Sequence, residues 1–264
     1  MPTAQLNGIR VHYEHSGSGP RLLYINGSGS TLERARPTLD ALRPHFDLAA
    51  HDQRGLGLTE VPTTPWSMAD HAQDALALAD HLGWDTFRVF GISFGGMVAQ
   101  ELAVTAPHRV QRLALLCTSP GGEGGSSYPL HDLATLAPAE RTAVAQRIMD
   151  ERFTEEWLAT HPSDRLIVEQ LAAGSAAERT PLQLLGEHLQ LEARRHHDVW
   201  DRLHRITCPT LVAAGRFDGI APVRNSEQIV GRIPGATLRV YEGGHLFIYQ
   251  DRRALPEIIE FLAA

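Results

Sequence analysis

Lysine is missing from this 264-residue chain, and all 24 of its basic residues are arginine. That absence excludes Schiff-base chemistry on lysine, a Walker A phosphate loop and a Ser-Lys dyad. Gly-x-Gly-x-x-Gly does not occur, so a bound dinucleotide has no support. His-Glu-x-x-His is absent too. No apolar run is long enough to span a bilayer. The opening residues, Met1-Pro2-Thr3-Ala4-Gln5-Leu6-Asn7-Gly8, hold no apolar signal-peptide core. Cysteine is scarce: Cys117 and Cys208 are the two present. Without a leader they are expected as reduced thiols in a cytoplasmic protein, at opposite edges of a sheet and too far apart for a disulfide. Net charge is −7 and the arginines are spread along the chain, which argues against nucleic-acid binding. The expected partner is a small molecule, with no membrane and no nucleic acid involved.

What is present is an alternation of apolar strands with helical patterns. Arg21-Ile25, Asp47-His51, Thr86-Gly91, Val110-Leu116, Thr210-Gly215 and Thr237-Tyr241 read as buried strands. Several are near-continuous apolar runs, as in a parallel sheet covered on both faces. Ile9-His15 alternates and fits a half-exposed edge strand, on which His12 and His15 face opposite sides. Ser67 with Asp70 three residues on is a capping-box pattern that opens a helix. The last helix repeats Leu255, Ile258, Ile259 and Leu262 at core-facing spacing.

The rhythm breaks between residues 119 and 204. Pro120-Gly121-Gly122-Glu123-Gly124-Gly125-Ser126-Ser127 reads as a flexible exit, followed by helical patterns over Pro138-Glu151, Ser163-Ala173 and Pro181-Arg195. The expected organisation is a core in two parts, 1–118 and 205–264, around a helical cap insertion, 119–204. Phe153, Trp157 and Trp200 either line a pocket there or bury against cap helices. His196-His197-Asp198 reads as a solvated return to the core rather than a metal site.

Chemistry concentrates at Gly91-Ile92-Ser93-Phe94-Gly95. A strand precedes it and a helix follows from Gly96, so Ser93 sits where a strand turns sharply into a helix, the context of a nucleophile elbow. A serine hydroxyl needs a general base, usually histidine, held by a carboxylate. In this architecture the acid and then the histidine follow later strands. Asp218 lies just past Thr210-Gly215, and His245 just past Thr237-Tyr241. Taken singly, Asp218 is a loop end capping the helix after Pro222, and His245 is one of 14 histidines. Their joint occurrence in the right order favours catalytic candidates. The loop after Val110-Leu116 reads Cys117-Thr118-Ser119-Pro120 and offers no carboxylate; Asp132 and Asp251 do not directly follow a strand. An oxyanion hole would take one N–H from Phe94 and a second, from Ser28, in the loop Asn26-Gly27-Ser28-Gly29-Ser30.

On these motifs the chain resembles the α/β-hydrolase fold superfamily, in its capped group of bacterial carboxylesterases and enol-lactone hydrolases. Gly91-Ile92-Ser93-Phe94-Gly95-Gly96 matches the nucleophile motif. Asp52-Gln53-Arg54-Gly55-Leu56-Gly57 matches a structural Asp-x-Arg-Gly-x-Gly loop. Gly215-Arg216-Phe217-Asp218 and Gly243-Gly244-His245 match the acid and base loops. One departure is Asn26-Gly27, where the family usually has His-Gly. The resemblance implies a mostly parallel eight-stranded sheet flanked by helices, a Ser93-Asp218-His245 triad, and a serine esterase that needs no metal or organic cofactor. The same triad also serves lactone opening and C–C cleavage of diketones, and a triad-bearing small-molecule sensor with little turnover is a further reading. Haloalkane dehalogenation is disfavoured, because it uses an aspartate where this chain has Ser93. Substrate choice is expected to rest with the cap.

Overall fold

A computed structural model describes residues 2–176 and 178–264. In chain order the strands are β1 (Thr3–Leu6), β2 (Ile9–Ser16), β3 (Arg21–Ile25), β4 (Asp47–His51), β5 (Phe87–Ile92), β6 (Val110–Leu116), β7 (Thr210–Gly215) and β8 (Thr237–Tyr241). The helices are α1 (Arg36–Leu42), α2 (Met68–His81), α3 (Phe94–Thr105), α4 (Pro138–Met149), α5 (Glu155–Thr160), α6 (Pro162–Ala176), α7 (Pro181–Arg195), α8 (Val223–Arg232), α9 (Phe247–Gln250) and α10 (Ala254–Ala263). The strands form one eight-stranded sheet in the order β1-β2-β4-β3-β5-β6-β7-β8. The pairs from β4 to β8 are parallel, while β1/β2 and β2/β4 are antiparallel.

Alternation along the strands divides the core into two layers. Leu23, Ile25, Val89, Leu113 and Val212 face one side, where Ala72, Ala75 and Ala79 of α2 pack with Val98 and Leu102 of α3. Leu22, Tyr24, Phe90, Ala114 and Leu211 face the other, against Leu39 and Leu42 of α1 and Ile258 and Leu262 of α10. Small residues let α2 lie close to the sheet. Its start is fixed as the sequence suggests: Asp70 N–H donates to Ser67 Oγ at 3.3 Å, and Ser67 N–H to the Asp70 carboxylate at 2.7 Å.

Three expectations change. Ile9-His15 is not an edge strand, because β1 pairs with β2 along its outer side. β1 has four residues, of which Ala4 and Leu6 are buried; two apolar positions are too few to signal a strand in sequence. The glycine-rich exit is not loose. Gly122–Gly124 is a 3₁₀ turn, Gly121 bridges Asp198, and Val199 N–H donates to Pro120 O at 3.0 Å, so the exit and return of the segment run side by side. His196-His197-Asp198 is not wholly solvated, since His197 is buried. Between β6 and β7 the chain runs through α4 to α7.

Cys117 follows β6 and Cys208 precedes β7; both thiols are buried and free. A further expectation changes here: the cysteines are not near opposite edges of the sheet, because β6 and β7 are neighbours. Leu113 pairs with Thr210, so the two residues are kept apart along the strand direction, at opposite ends of this strand pair. Among the described residues no helix is long and apolar enough to cross a membrane.

Burial pushes the His197 pKa down to about 4, against about 6.5 when unfolded. Between those values the unfolded chain binds a proton that the folded chain refuses, so stability is lost as pH falls from about 6.5 to about 4. The difference corresponds to at most about 3 kcal/mol. Replacing His197 with Asn should flatten denaturation midpoints measured across this window, while leaving the profile above pH ~7 parallel to that of the parent.

Candidate active site

The order of the sheet reverses at β3. From β3 the chain goes out to β4 and then returns to β5 on the other side of β3, so the loops leaving β3 and β5 diverge at the same sheet edge. Such a switch point leaves a crevice beyond the strand ends. The loop after β3 is Asn26 to Ser30, and the residue after β5 is Ser93.

Ser93 has φ 56° and ψ −117°, a backbone region that side-chain-bearing residues avoid. Holding it costs about 1–3 kcal/mol. The turn is secured on both sides: Ser93 N–H donates to Leu116 O at 2.8 Å, and Ser93 O accepts from Gly96 N–H at 2.9 Å and from Thr118 Oγ1 at 2.9 Å. Gly95 is obligatory for packing, because a Cβ there would strike the Ile25 carbonyl oxygen.

The structure brings Ser93, His245 and Asp218 into one hydrogen-bonded run. Ser93 Oγ lies 2.9 Å from His245 Nε2, and His245 Nδ1 lies 2.8 Å from Asp218 Oδ2. The other Asp218 oxygen, Oδ1, accepts N–H bonds from Ile220 at 2.8 Å and Ala221 at 2.9 Å. Asp218 and His245 are buried, whereas Ser93 is partly exposed. With Asp218 facing Nδ1, the imidazole presents Nε2 as the acceptor toward the serine hydroxyl.

The C-terminal end of α4 also supports the run, which motif reading missed. His245 N–H donates to Met149 O at 2.6 Å, Gly219 N–H to Ile148 O at 3.0 Å, and Glu151 N–H to Phe217 O at 2.9 Å. These are backbone contacts, so side-chain chemistry in the sequence carries no sign of them. Thr118 was likewise invisible, because it meets Ser93 only through the fold.

Beside Ser93 stands the Asn26–Ser30 loop; a methyl group placed on Gly27 would lie 3.5 Å from Ser93 Cβ. Phe94 N–H begins α3, where a helix leaves its donors unpaired. Neither it nor Ser28 N–H has an acceptor among the described residues. Asn26 braces the loop. Its Oδ1 accepts from Tyr24 OH at 3.1 Å and from Gly27 N–H at 3.0 Å, while its Nδ2 donates to Thr31 O at 3.1 Å. Gln53 Nε2 donates to Asn26 O at 2.7 Å, and Asp52 accepts from Leu32 N–H at 2.8 Å. Arg54 makes a buried two-pronged pair with Asp74, both contacts at 2.7 Å. The Asp52–Gly57 segment therefore anchors the loop. His12 bonds Asp52 at 2.7 Å, and His15 bonds Asp47 at 2.6 Å.

Among the described residues, Cys117, Asp218 and His245 form a cluster whose ligand atoms lie within 4.8 Å of one another. Asp218 and His245 already bond each other, and burial followed by the Asp218 charge pushes the Cys117 thiol well above its ordinary pKa. A metal would have to displace that bond and deprotonate that thiol. Phe153 and Trp200 are buried in packing, while Trp157 stacks on His161 and donates to Asp164 at 2.7 Å.

The strain at Ser93 sets a test. Ser93→Gly should raise the denaturant midpoint by an amount equivalent to about 1 kcal/mol, because glycine adopts this backbone freely. An unchanged or lower midpoint would contradict the strain.

The profile of the alpha/beta hydrolase fold family matches residues 20–251. The chain is 28% identical over 254 residues to a poly(3-hydroxyalkanoate) depolymerase of Ectopseudomonas oleovorans, covering 91% of this chain and 83% of that protein. It is 28% identical over 265 residues to 3-oxoadipate enol-lactonase 2 of Acinetobacter baylyi, covering 98% and 94%. A solved hydrolase of Pseudomonas aeruginosa PA01 matches with a TM-score of 0.81 and 29% identity, over 100% of this chain and 98% of that one.

Proposed function

The chain belongs to the alpha/beta hydrolase fold family, and from that premise we propose that it hydrolyses a small carboxylic ester through Ser93, His245 and Asp218. The observation that carries the reading is the unbroken run from Ser93 Oγ through His245 to Asp218, at 2.9 and 2.8 Å. It is supported by relatives that are named as acting on a polyester and on a lactone.

In this reading Ser93 Oγ attacks the ester carbonyl carbon as its proton passes to His245 Nε2. Asp218 holds the ring and stabilises the imidazolium. The carbonyl oxygen becomes an oxyanion that takes hydrogen bonds from Ser28 and Phe94 N–H. Collapse expels the alcohol, which takes the proton from His245. A water, deprotonated by His245, then attacks the acyl-enzyme; the carboxylic acid leaves and Ser93 regains its proton. No metal or organic cofactor enters any step. A lactone fits the same steps, with the alcohol remaining tethered to the acyl group. The helical segment 119–204 overhangs this sheet edge as a cap in the proposal and selects the substrate.

Ser93→Ala should keep its thermal transition and lose at least ~10⁴ in kcat on a short ester. A fluorophosphonate should label the parent at Ser93 and leave the variant unlabelled. Label on another residue, or a variant with near-parent turnover, would overturn the assignment, and turnover limited to a single event would favour the sensor reading. Asp218→Asn should lower kcat by about 10³–10⁴ while retaining the label site, since the ring loses its orienting charge.

A further inference from the structure

Two arginines are buried to 7% exposure among the described residues, Arg54 and Arg194. Arg54 is neutralised by Asp74. Arg194, near the end of α7, has no acidic partner among the described residues. Its Nη2 donates to Ser127 Oγ and to Tyr128 O, both at 2.8 Å, and both acceptors are neutral. Burying a cation without an anion is costly, and such groups are normally paired. Burial pulls the Arg194 pKa down only to about 10, so the group stays charged at neutral pH.

Arg194 lines a cavity of about 180 Å³, together with Ser119, Ser127, His131, Arg195 and His197. No Asp or Glu side chain is among its described lining residues. Met97 also lines it, one turn of α3 beyond Ser93, a rise of about 6 Å. Ser119 follows Thr118, whose hydroxyl bonds Ser93 O at 2.9 Å. Two lining residues thus belong to the segments that flank Ser93: Met97 on α3 and Ser119 beside Thr118.

We propose that this cavity is an anion subsite in which Arg194 receives the free carboxylate of a short half-ester or carboxylated lactone whose other carbonyl lies at Ser93. The substrate class rests on the serine-hydrolase reading above; the anion site itself rests only on the unpaired charge and the cavity. A planar carboxylate suits the guanidinium fork, whose Nε and Nη1 make no hydrogen bond among the described residues, and Ser119 and Ser127 line the same cavity.

The test compares monomethyl glutarate with methyl pentanoate, which match in chain length and differ in the terminal charge. Hydrolysis is followed by pH-stat in the parent, Arg194→Gln and Arg194→Lys. The parent should favour the anionic ester at least tenfold in kcat/KM, the ratio should fall to near one in Arg194→Gln, and Arg194→Lys should recover part of it. A parent without preference, or a ratio that survives Arg194→Gln, would overturn the subsite; a structural role alone would lower both rates and leave the ratio in place. Titration calorimetry with glutarate gives a readout free of turnover. Heat with the parent and its loss in Arg194→Gln support the anion site even if Ser93→Ala shows the hydrolase reading to be wrong. Absence of glutarate binding by the parent, or equal binding by both, removes the site whatever the fate of that reading. If Arg194→Gln does not fold, the parent's own preference and glutarate binding still decide.

Discussion

Ser93 holds a backbone conformation that L-residues avoid, and the surrounding fold is arranged so that it has no other choice. Its N–H is taken by the end of β6, its carbonyl by the first turn of α3 and by Thr118, and the glycine two residues on lets α3 press against the end of β3. Strain of this kind persists only where neighbours over-determine it. The consequence is geometric: Ser93 is held, partly exposed, at the sheet edge where β3 and β5 diverge, with its hydroxyl 2.9 Å from His245 Nε2. The loops after β7 and β8 bring Asp218 and His245 to that same edge, because their strands run parallel to β5.

Much of this was legible because it rests on strong local signals. The parallel strands read as apolar runs because helices cover both faces. Ser67 and Asp70 announced α2, and the glycines around Ser93 announced the turn. Asp218 and His245 were legible from their positions after strands, in an order that few arrangements produce by accident. β1 was too short to stand out, and missing it turned an inner strand into an expected edge. His197 was misread because one buried imidazole between exposed His196 and Asp198 looks like solvated sequence. Its burial depends on Ser119 O, 78 residues away and 3.2 Å from Nε2, which no local pattern records.

The helices between β6 and β7 are more closely tied to the chemistry than their sequence suggests. An insertion reads as a separate unit with catalytic residues outside it. Yet carbonyls at the end of α4 hold the backbones of Gly219, next to Asp218, and of His245. Gln190 of α7 accepts from Gly29 N–H at 2.8 Å, in the loop that carries Ser28. Movements of these helices would therefore reach the loops of Asp218, His245 and Ser28 through these bonds, and in the proposed mechanism that couples substrate selection to catalytic geometry.

The central claim is a covalent acyl-enzyme on the path to products, and partitioning tests it most directly. Esters of one acid with alcohols of different leaving ability would be hydrolysed in the presence of hydroxylamine. If all of them pass through the same acyl-enzyme, the ratio of hydroxamate to free acid is identical for every ester, whatever their individual rates. A ratio that changes with the leaving alcohol would mean that water attacks the ester directly, and the account built on Ser93 would not stand.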